Sequence, residues 1–394
     1  MDADTLLAGL VRRHAGRVAD LDERLLAAGF SAASPPTWQT LPRLVPRAKS
    51  ELAALQRGRE DFGGLAPGGL RPGVLYWSPG GLSEPRVGAH VERLAELLRE
   101  AGFSAADRVA NGFAYHLTPA GLLVHEALRR LGATVLPIGP QQTAQAAEFM
   151  AVARATGFVG LAVHLKALMT ALDALPADVA RPPLQRALAG AEPYADAIRR
   201  ELEARWGIAC RDFYGTAEAG IVALECEAHA GLHLHTGVLA ELAEPGRGER
   251  AEGEVGELLL SADADELPLL RFATGDLVRL EATACRCGRA GPRLRVLGRT
   301  GDSARVRGML LHGSQLRGFA AAAGLRACSA TVTRAAGRDG IEVRWRADAA
   351  LTDERLAEAF REHCRLRADR FTAEPALPEG VFELADERGA AQEA

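Results

Sequence analysis

Leu6, Leu7, Leu10 and Val11, then Val18, Leu21, Leu25 and Leu26, recur at intervals of three and four residues, which puts apolar side chains on one face of a helix. This predicts a helical layer over the first 60 residues, interrupted at Ser34-Pro35-Pro36, where proline removes a backbone donor. From about Val74 short apolar runs alternate with helical stretches: VLYW, a helix near 88–101, RVANGF, a helix near 119–131, ATVLPIG, a helix near 142–156, and GFVGLAV. That alternation predicts a parallel sheet covered on both faces. The pattern continues through LQRALAGAEP, a helix over AIRRELEARWG and the strand IACRDFY. After Gly220 the runs GLHLHTGVLAEL and VGELLLS alternate between glycines, which predicts antiparallel hairpins and a β-rich subdomain. Beyond Gly298 the stretches ATVTR, IEVRWRA and LTDERLAEAFREHCRLRA read as a β-β-α tail. The expected fold is α/β: a large domain of mixed and parallel sheets covered by helices over 1–301, and a small α+β domain over 302–394.

Composition narrows the partners. The 394 residues exceed a typical domain about two- to threefold, and 48% apolar with 25% charged residues is ordinary globular usage. A net charge of -4 leaves no broad footprint for nucleic acid or an anionic membrane, so neither is expected as a partner. The N-terminus lacks a basic segment followed by an apolar run, and no stretch is apolar enough to span a bilayer, so a cytoplasmic location is expected. Of 47 basic side chains only two are lysines, Lys49 and Lys166.

Two groups of residues carry candidate chemistry. Tyr214-Gly215-Thr216-Ala217-Glu218 ends a strand and turns, which places an aromatic face, a hydroxyl and a carboxylate at the carboxyl edge of a parallel sheet, where such sheets bind ligands. Cys226, His233, Cys285 and Cys287 offer three thiolates and an imidazole, a soft closed set suited to structural zinc, with His229 and His235 as rivals for the imidazole position. Cys210, Cys328 and Cys364 read as core fillers.

Three ordered segments, GAEPYADAIRRELEARWGIACRDFYGTAEAG (190–220), LLRFATGDLVRL with CRCGR (269–289) and GRTGDSARVRG (298–308), resemble the adenylate-forming superfamily, and within it the phenylacetate-CoA ligases. DRVANGFAYHLTPAGLLVHEALRRLGATVLPIG and LPRLVPRAKSEL are similar to the same family. The resemblance implies ATP- and Mg²⁺-dependent conversion of a carboxylic acid to acyl-AMP, then transfer to a thiol such as CoA or to an amine; a homodimer is the oligomer expected, if any. It places Tyr214 and Gly215 with the backbone of Gly190, Ala191 and Glu192 around adenine, Thr216 on phosphate, Glu218 on Mg²⁺, and Asp276 with Arg299 on ribose and phosphate. Thr216, Glu218 and Arg299 are the implied catalytic residues, Tyr115, His116, Ala191 and Tyr194 the acyl pocket, and Asp302 the hinge. Several relatives carry a Cys/His pair and a Cys-x-Cys at the places of the proposed zinc ligands.

Two departures stand out. The family's phosphate loop corresponds here to Ser78-Pro79-Gly80-Gly81-Leu82-Ser83-Glu84-Pro85-Arg86: Ser78, Gly80, Gly81 and Ser83 remain, but Glu84 stands where the family has lysine. No lysine follows Lys166, so the lysine that bridges substrate carboxylate and α-phosphate is missing, and Arg388 is the nearest cation by position. Two further readings follow: a repurposed, non-catalytic nucleotide-binding protein, or an enzyme that takes up a ready-made adenylate.

Overall fold

The structure is a computed structural model that describes residues 2–59, 61–86, 89–190, 196–244, 248–251, 253–263, 267–300, 303–307, 309–335 and 338–388. Two compact units share the chain, Met1–Thr274 with Val278–Val296, and Gly275–Leu277 with Leu297–Ala394.

In the first unit, α1 (Ala3–His14) and α2 (Ala19–Ala27) bury Leu7, Leu10, Val11, Val18, Leu21 and Leu25 together with Leu41, Leu44 and Leu270. Leu26, counted in the predicted stripe, is instead 79% exposed. The short strand β1 (Arg47–Ala48) leads directly into α3 (Lys49–Gln56), where the Glu51 carboxylate accepts the Ala48 N–H at 2.7 Å and closes the first turn. Next come β2 (Val74–Ser78) and β3 (Leu82–Arg86), which pair only with each other. VLYW therefore does not open the parallel sheet as expected. A strand inside such a sheet is buried on both faces, whereas here Val74, Leu75 and Trp77 are exposed and only Tyr76 of the run is buried.

The parallel layer follows: α4 (Ala89–Glu100), β4 (Arg108–Asn111), α5 (Ala120–Leu131), β5 (Thr134–Leu136), α6 (Thr143–Val152), β6 (Gly157–Gly160), α7 (Ala162–Asp173), β7 (Arg186–Gly190), α8 (Asp196–Trp206) and β8 (Ala209–Thr216). Strands β5, β4, β6, β7 and β8 lie side by side and parallel. Leu94, Leu98, Val124 and Leu128 of α4 and α5 form one core with Val159 and Leu188. Met150, Leu165, Leu168 and Leu202 of α6, α7 and α8 form another with Phe158 and Ala187. Successive residues of β6 and β7 thus point into two different helix layers, which is the double coverage predicted. GFVGLAV is only half strand: β6 stops at Gly160 and α7 begins at Ala162.

Strand β9 (Gly220–Glu225) turns back antiparallel on β8, and β10 (Leu232–Leu234), β11 (Val238–Ala243), β12 (Val255–Ala262), β13 (Leu269–Glu281) and β14 (Arg293–Arg299) follow. The sheet order is β11-β12-β13-β14-β10-β9-β8-β7-β6-β4-β5, with β1 beside β13. The β-rich region is therefore continuous with the parallel strands through the β8/β9 hairpin. Arg271 is wholly buried, held by Glu241 at 3.1 Å and by the Leu44 and Gly248 carbonyls at 2.6 and 2.8 Å, so it ties the N-terminal layer to β13. Among the described residues no helix is long and apolar enough to cross a membrane.

The second unit contains the hairpin β15 (Ser303–Val306) and β16 (Met309–His312), then α9 (Gly313–Ala323), β17 (Leu325–Ala335), β18 (Arg338–Ala347), α10 (Asp353–Cys364), β19 (Arg370–Ala373) and β20 (Phe382–Asp386). Its sheet runs β19-β18-β17-β20, and Phe319 of α9 meets Phe360 of α10 edge-on at 5.2 Å between ring centres. This is richer than the predicted β-β-α tail, because the short edge strands β19 and β20 carry little apolar pattern of their own.

Candidate active site and metal cluster

The carboxyl ends of β7 and β8 bring together Gly190, Tyr214, Gly215, Thr216 and Glu218. Gly190 ends β7 opposite Phe213 in register, and a Cβ at 190 would lie 2.7 Å from the Phe213 ring, so a side chain there is excluded. Beside it β8 delivers buried Tyr214, Gly215 and Thr216. A Cβ on Gly215 would come within 2.7 Å of the Gly220 carbonyl, so the hairpin closes only around a glycine. The Thr216 hydroxyl accepts the Ala219 N–H at 3.0 Å, and Arg93 donates to the Ala219 carbonyl at 2.7 Å, which together fix the turn that carries Glu218.

Glu218 is 2% exposed, and its Oε1 lies 2.6 Å from Nζ of Lys49. Burial alone would raise its pKa, but the Lys49 ammonium and the Thr216 hydroxyl outweigh it and hold the carboxyl below its ordinary value. Lys49 has no part in the sequence-derived site. It is the first residue of α3, brought here because Ala48 pairs with Ala273 on β13. The signal available was scarcity: it is one of only two lysines.

Gly80 and Gly81, with φ of 98° and 81°, make the tight turn between β2 and β3, left-handed positions that suit glycine. Ser78 is buried and its hydroxyl donates to the Leu82 carbonyl at 3.4 Å. The Ser83 N–H donates to Oε1 of Gln56 at 2.7 Å, and the Ser83 carbonyl accepts from Nε2 of Gln56 at 2.8 Å. Glu84 is wholly buried. The two serines thus face protein partners, and α3 clasps the loop through Gln56.

Of the expected acyl-pocket residues, Tyr115 is half-buried. Its hydroxyl accepts from Asn111 Nδ2 at 2.8 Å and meets His125 Nδ1 at 3.2 Å, and burial pushes its pKa up to about 12. His116 is exposed. Ala191, Glu192 and Tyr194, and the hinge residue Asp302, lie outside the described residues.

In the second unit Asp276 is 6% exposed and accepts from Nη1 of Arg299 at 2.7 Å. Arg388, the nearest cation by position to the missing lysine, is engaged inside this unit. Its guanidinium is 7% exposed and clamped between Asp339 at 3.0 Å and Asp386 at 2.6 Å, so its charge serves the interior of this unit.

Cys226, at the end of β9, His233 on β10, and Cys285 and Cys287 in the turn before β14 place one donor atom each within 4.8 Å of all the others. Cys226 and Cys285 sulfurs are 3.7 Å apart, and Cys287 sulfur is 3.4 Å from His233 Nε2. A tetrahedron with zinc–ligand arms of usual length has edges of about 3.8 Å between sulfurs and about 3.5 Å between sulfur and nitrogen, so the donor set fits zinc. Both rival histidines are engaged elsewhere, His229 with Glu225 at 3.0 Å and His235 with Glu96 at 3.1 Å.

No protein-family profile matches the chain. Among curated proteins it is similar to phenylacetate-coenzyme A ligase of Escherichia coli (strain K12), 34% identical over 57% of this chain and 52% of that protein. It is likewise similar to phenylacetate-coenzyme A ligase of Thermus thermophilus, 29% identical over 71% of this chain and 65% of that protein. The chain thus spans from about half to about two thirds of the length of these relatives. Among solved structures, 2-hydroxyisobutyryl-CoA ligase in complex with 2-HIB-AMP and CoA aligns with a TM-score of 0.81 at 17% identity, covering 99% of this chain and 91% of that one. The amide bond synthetase McbA from Marinactinospora thermotolerans aligns with a TM-score of 0.60 at 18% identity, over 77% and 65% of the two chains. The chain is related in sequence to the phenylacetate-CoA ligases and has the fold of the adenylate-forming acyl-CoA ligases.

Proposed function

We propose that this chain activates a carboxylic acid as its acyl-AMP, with ATP and Mg²⁺, and passes the acyl group to a thiol such as CoA or to an amine, in the cytoplasm. The observation that carries the reading is the Tyr214–Glu218 turn, which presents a buried, ionised carboxylate and a hydroxyl at the carboxyl edge of a parallel sheet. In this reading Tyr214 lies against adenine, and the backbone of Gly190 and Gly215 lines the same slot. Thr216 meets a phosphate oxygen, and Asp276 with Arg299 takes the ribose. Bound Mg²⁺ would offset charge on the phosphates, and Glu218 suits it as a buried anionic oxygen ligand. The acid needs no general base, because its carboxylate oxygen attacks the α-phosphorus directly as pyrophosphate leaves. A thiol or amine then attacks the acyl carbon, loses its proton, and expels AMP. Tyr115 and His116 belong to the acyl side, Asp302 to the hinge, and the Cys226, His233, Cys285 and Cys287 set to structural zinc.

A second reading, a nucleotide-binding protein without turnover, is favoured by the inward-turned Ser78, the clasped Ser83 and the sequestered Arg388. Pyrophosphate release with ATP, Mg²⁺ and a panel of aromatic and medium-sized acids separates the two. Acid-dependent release supports the ligase. Nucleotide binding without release from any acid supports the second reading.

A further inference from the structure

We propose that Lys49 is a polyphosphate-binding cation of this protein: its ammonium takes the place of the lysines absent from the 78–86 loop, where Glu84 stands, and from the chain after Lys166. The assignment rests on reading the Tyr214–Glu218 turn as a nucleotide site, and it adds a residue and a ligand group to it.

Three observations converge on Lys49. Its Nζ is 2.6 Å from Glu218, the carboxylate at the tip of that turn. Its stem runs along the glycine turn of the loop, so that a Cβ on Gly80 would lie 3.4 Å from Lys49 Cε and 3.8 Å from Cδ. Its side chain is 29% exposed, so it remains within reach of a ligand. Lys49 therefore spans the gap between the loop tip and Glu218. The helix it begins also holds that loop, because Gln56 at the other end of α3 bonds both backbone groups of Ser83.

The charge argument agrees. With Glu84 where a cation would stand, phosphates entering beside the loop meet no cationic side chain of the loop short of Arg86. An ammonium on a flexible four-carbon stem can leave a carboxylate for a phosphate oxygen a few ångströms away, since it is a point charge with three rotatable donors. Glu218 then remains as the ligand for the cation that accompanies the nucleotide. Lys166, the other lysine, is held by Glu201 on the exposed side of α7 and α8 at the same 2.6 Å, which makes it an internal control for an ordinary ion pair.

Two measurements on the full chain test this. In calorimetry, Lys49→Met should weaken Mg·ATP by about thirtyfold, the size of a lost charge-assisted hydrogen bond, and AMP by less than about threefold, whereas Lys166→Met should change neither. Lys49→Gln keeps a donor for Glu218 and serves if the methionine variant unfolds. In the wild-type chain, Mg·ATP at ten times its Kd should slow acetylation of Lys49 by acetic anhydride about tenfold relative to Lys166, read by peptide mass spectrometry, and adenosine should not. Equal loss of ATP and AMP binding, equal protection by adenosine, or no protection by ATP overturns the proposal. If ATP protects Lys49 but no acid releases pyrophosphate, the ligase reading falls and the assignment of Lys49 stands. If pyrophosphate is released equally well by Lys49→Met, the assignment falls and the ligase reading stands.

Discussion

Glu218 and Asp276 are both more than nine-tenths buried, and each is held by a long cationic side chain from elsewhere in the sequence, Lys49 at 2.6 Å and Arg299 at 2.7 Å. Burying a carboxylate without such a partner would cost several kcal/mol, so the pairing is obligatory, but the sequence does not say which cation answers. Asp276 and Arg299 could be paired in advance because both sit in segments that resemble a family. Lys49 also sits in a segment similar to that family, LPRLVPRAKSEL, but the resemblance gave it no role, and it reaches Glu218 through the β1 pairing with β13, a contact set by tertiary structure. Asp276→Ala should therefore reduce AMP affinity at least about tenfold, as expected for losing charge-assisted bonds to ribose, and more than any single change in residues 78–86. Calorimetry with AMP checks it, and unchanged affinity would remove Asp276 from the nucleotide site.

At the scale of elements, the parallel layer was readable and the phosphate-loop hairpin was not. Helices α4 and α5 and strands β4, β7 and β8 declare themselves by period, because each has one or two faces buried in a continuous core. VLYW has the composition of a buried strand, yet it pairs outside the sheet and leaves Trp77 52% exposed. Composition reports the preference for extended backbone and not the partner strand. What holds this hairpin to the body is partly the Gln56 amide. Gln56→Ala should destabilise the hairpin by about 1–2 kcal/mol, for two lost hydrogen bonds, and speed amide exchange over Val74–Arg86 while leaving β7 and β8 protected. Exchange mass spectrometry reads it. The metal cluster was legible because Cys-x-Cys is a local signal, and the choice of His233 over its neighbours needed the fold. Purified protein should hold one zinc per chain by elemental analysis, and Cys285→Ser should lose it; a metal-free wild type would retire the assignment.

For the whole molecule, the two units use their charge differently. In the second unit the Asp339 side chain is 6% exposed and receives Arg334 at 2.7 Å and Arg388 at 3.0 Å. Burial pushes the Asp339 pKa up, but these two guanidinium groups outweigh it and hold the carboxyl below its ordinary value. A carboxyl depressed on folding gives stability that is complete above the unfolded value and disappears as pH falls through the folded one. Asp339→Asn should therefore destabilise this unit near neutral pH by about 3 kcal/mol, and the difference from wild type should shrink as pH falls below the ordinary carboxylate range, as followed by thermal melts across pH. Because Arg388 is committed to that interior, Arg388→Met should also lower stability while changing pyrophosphate exchange less than about threefold. A thousandfold loss would show that Arg388 acts on the reacting phosphate after all.

Strand β9 joins the two constellations of the first unit end to end. Gly220, at its start, closes the turn that bears Thr216 and Glu218, and Cys226 follows directly on its last residue, Glu225. Six extended residues span about 17 Å, so the four-donor cluster lies at the far end of a short strand whose near end closes the turn bearing Thr216 and Glu218. Loosening the cluster should be felt at the other end. If the protein holds zinc and binds AMP as proposed, chelation should raise the Kd for AMP in step with zinc loss, although none of the four donors stands on that turn.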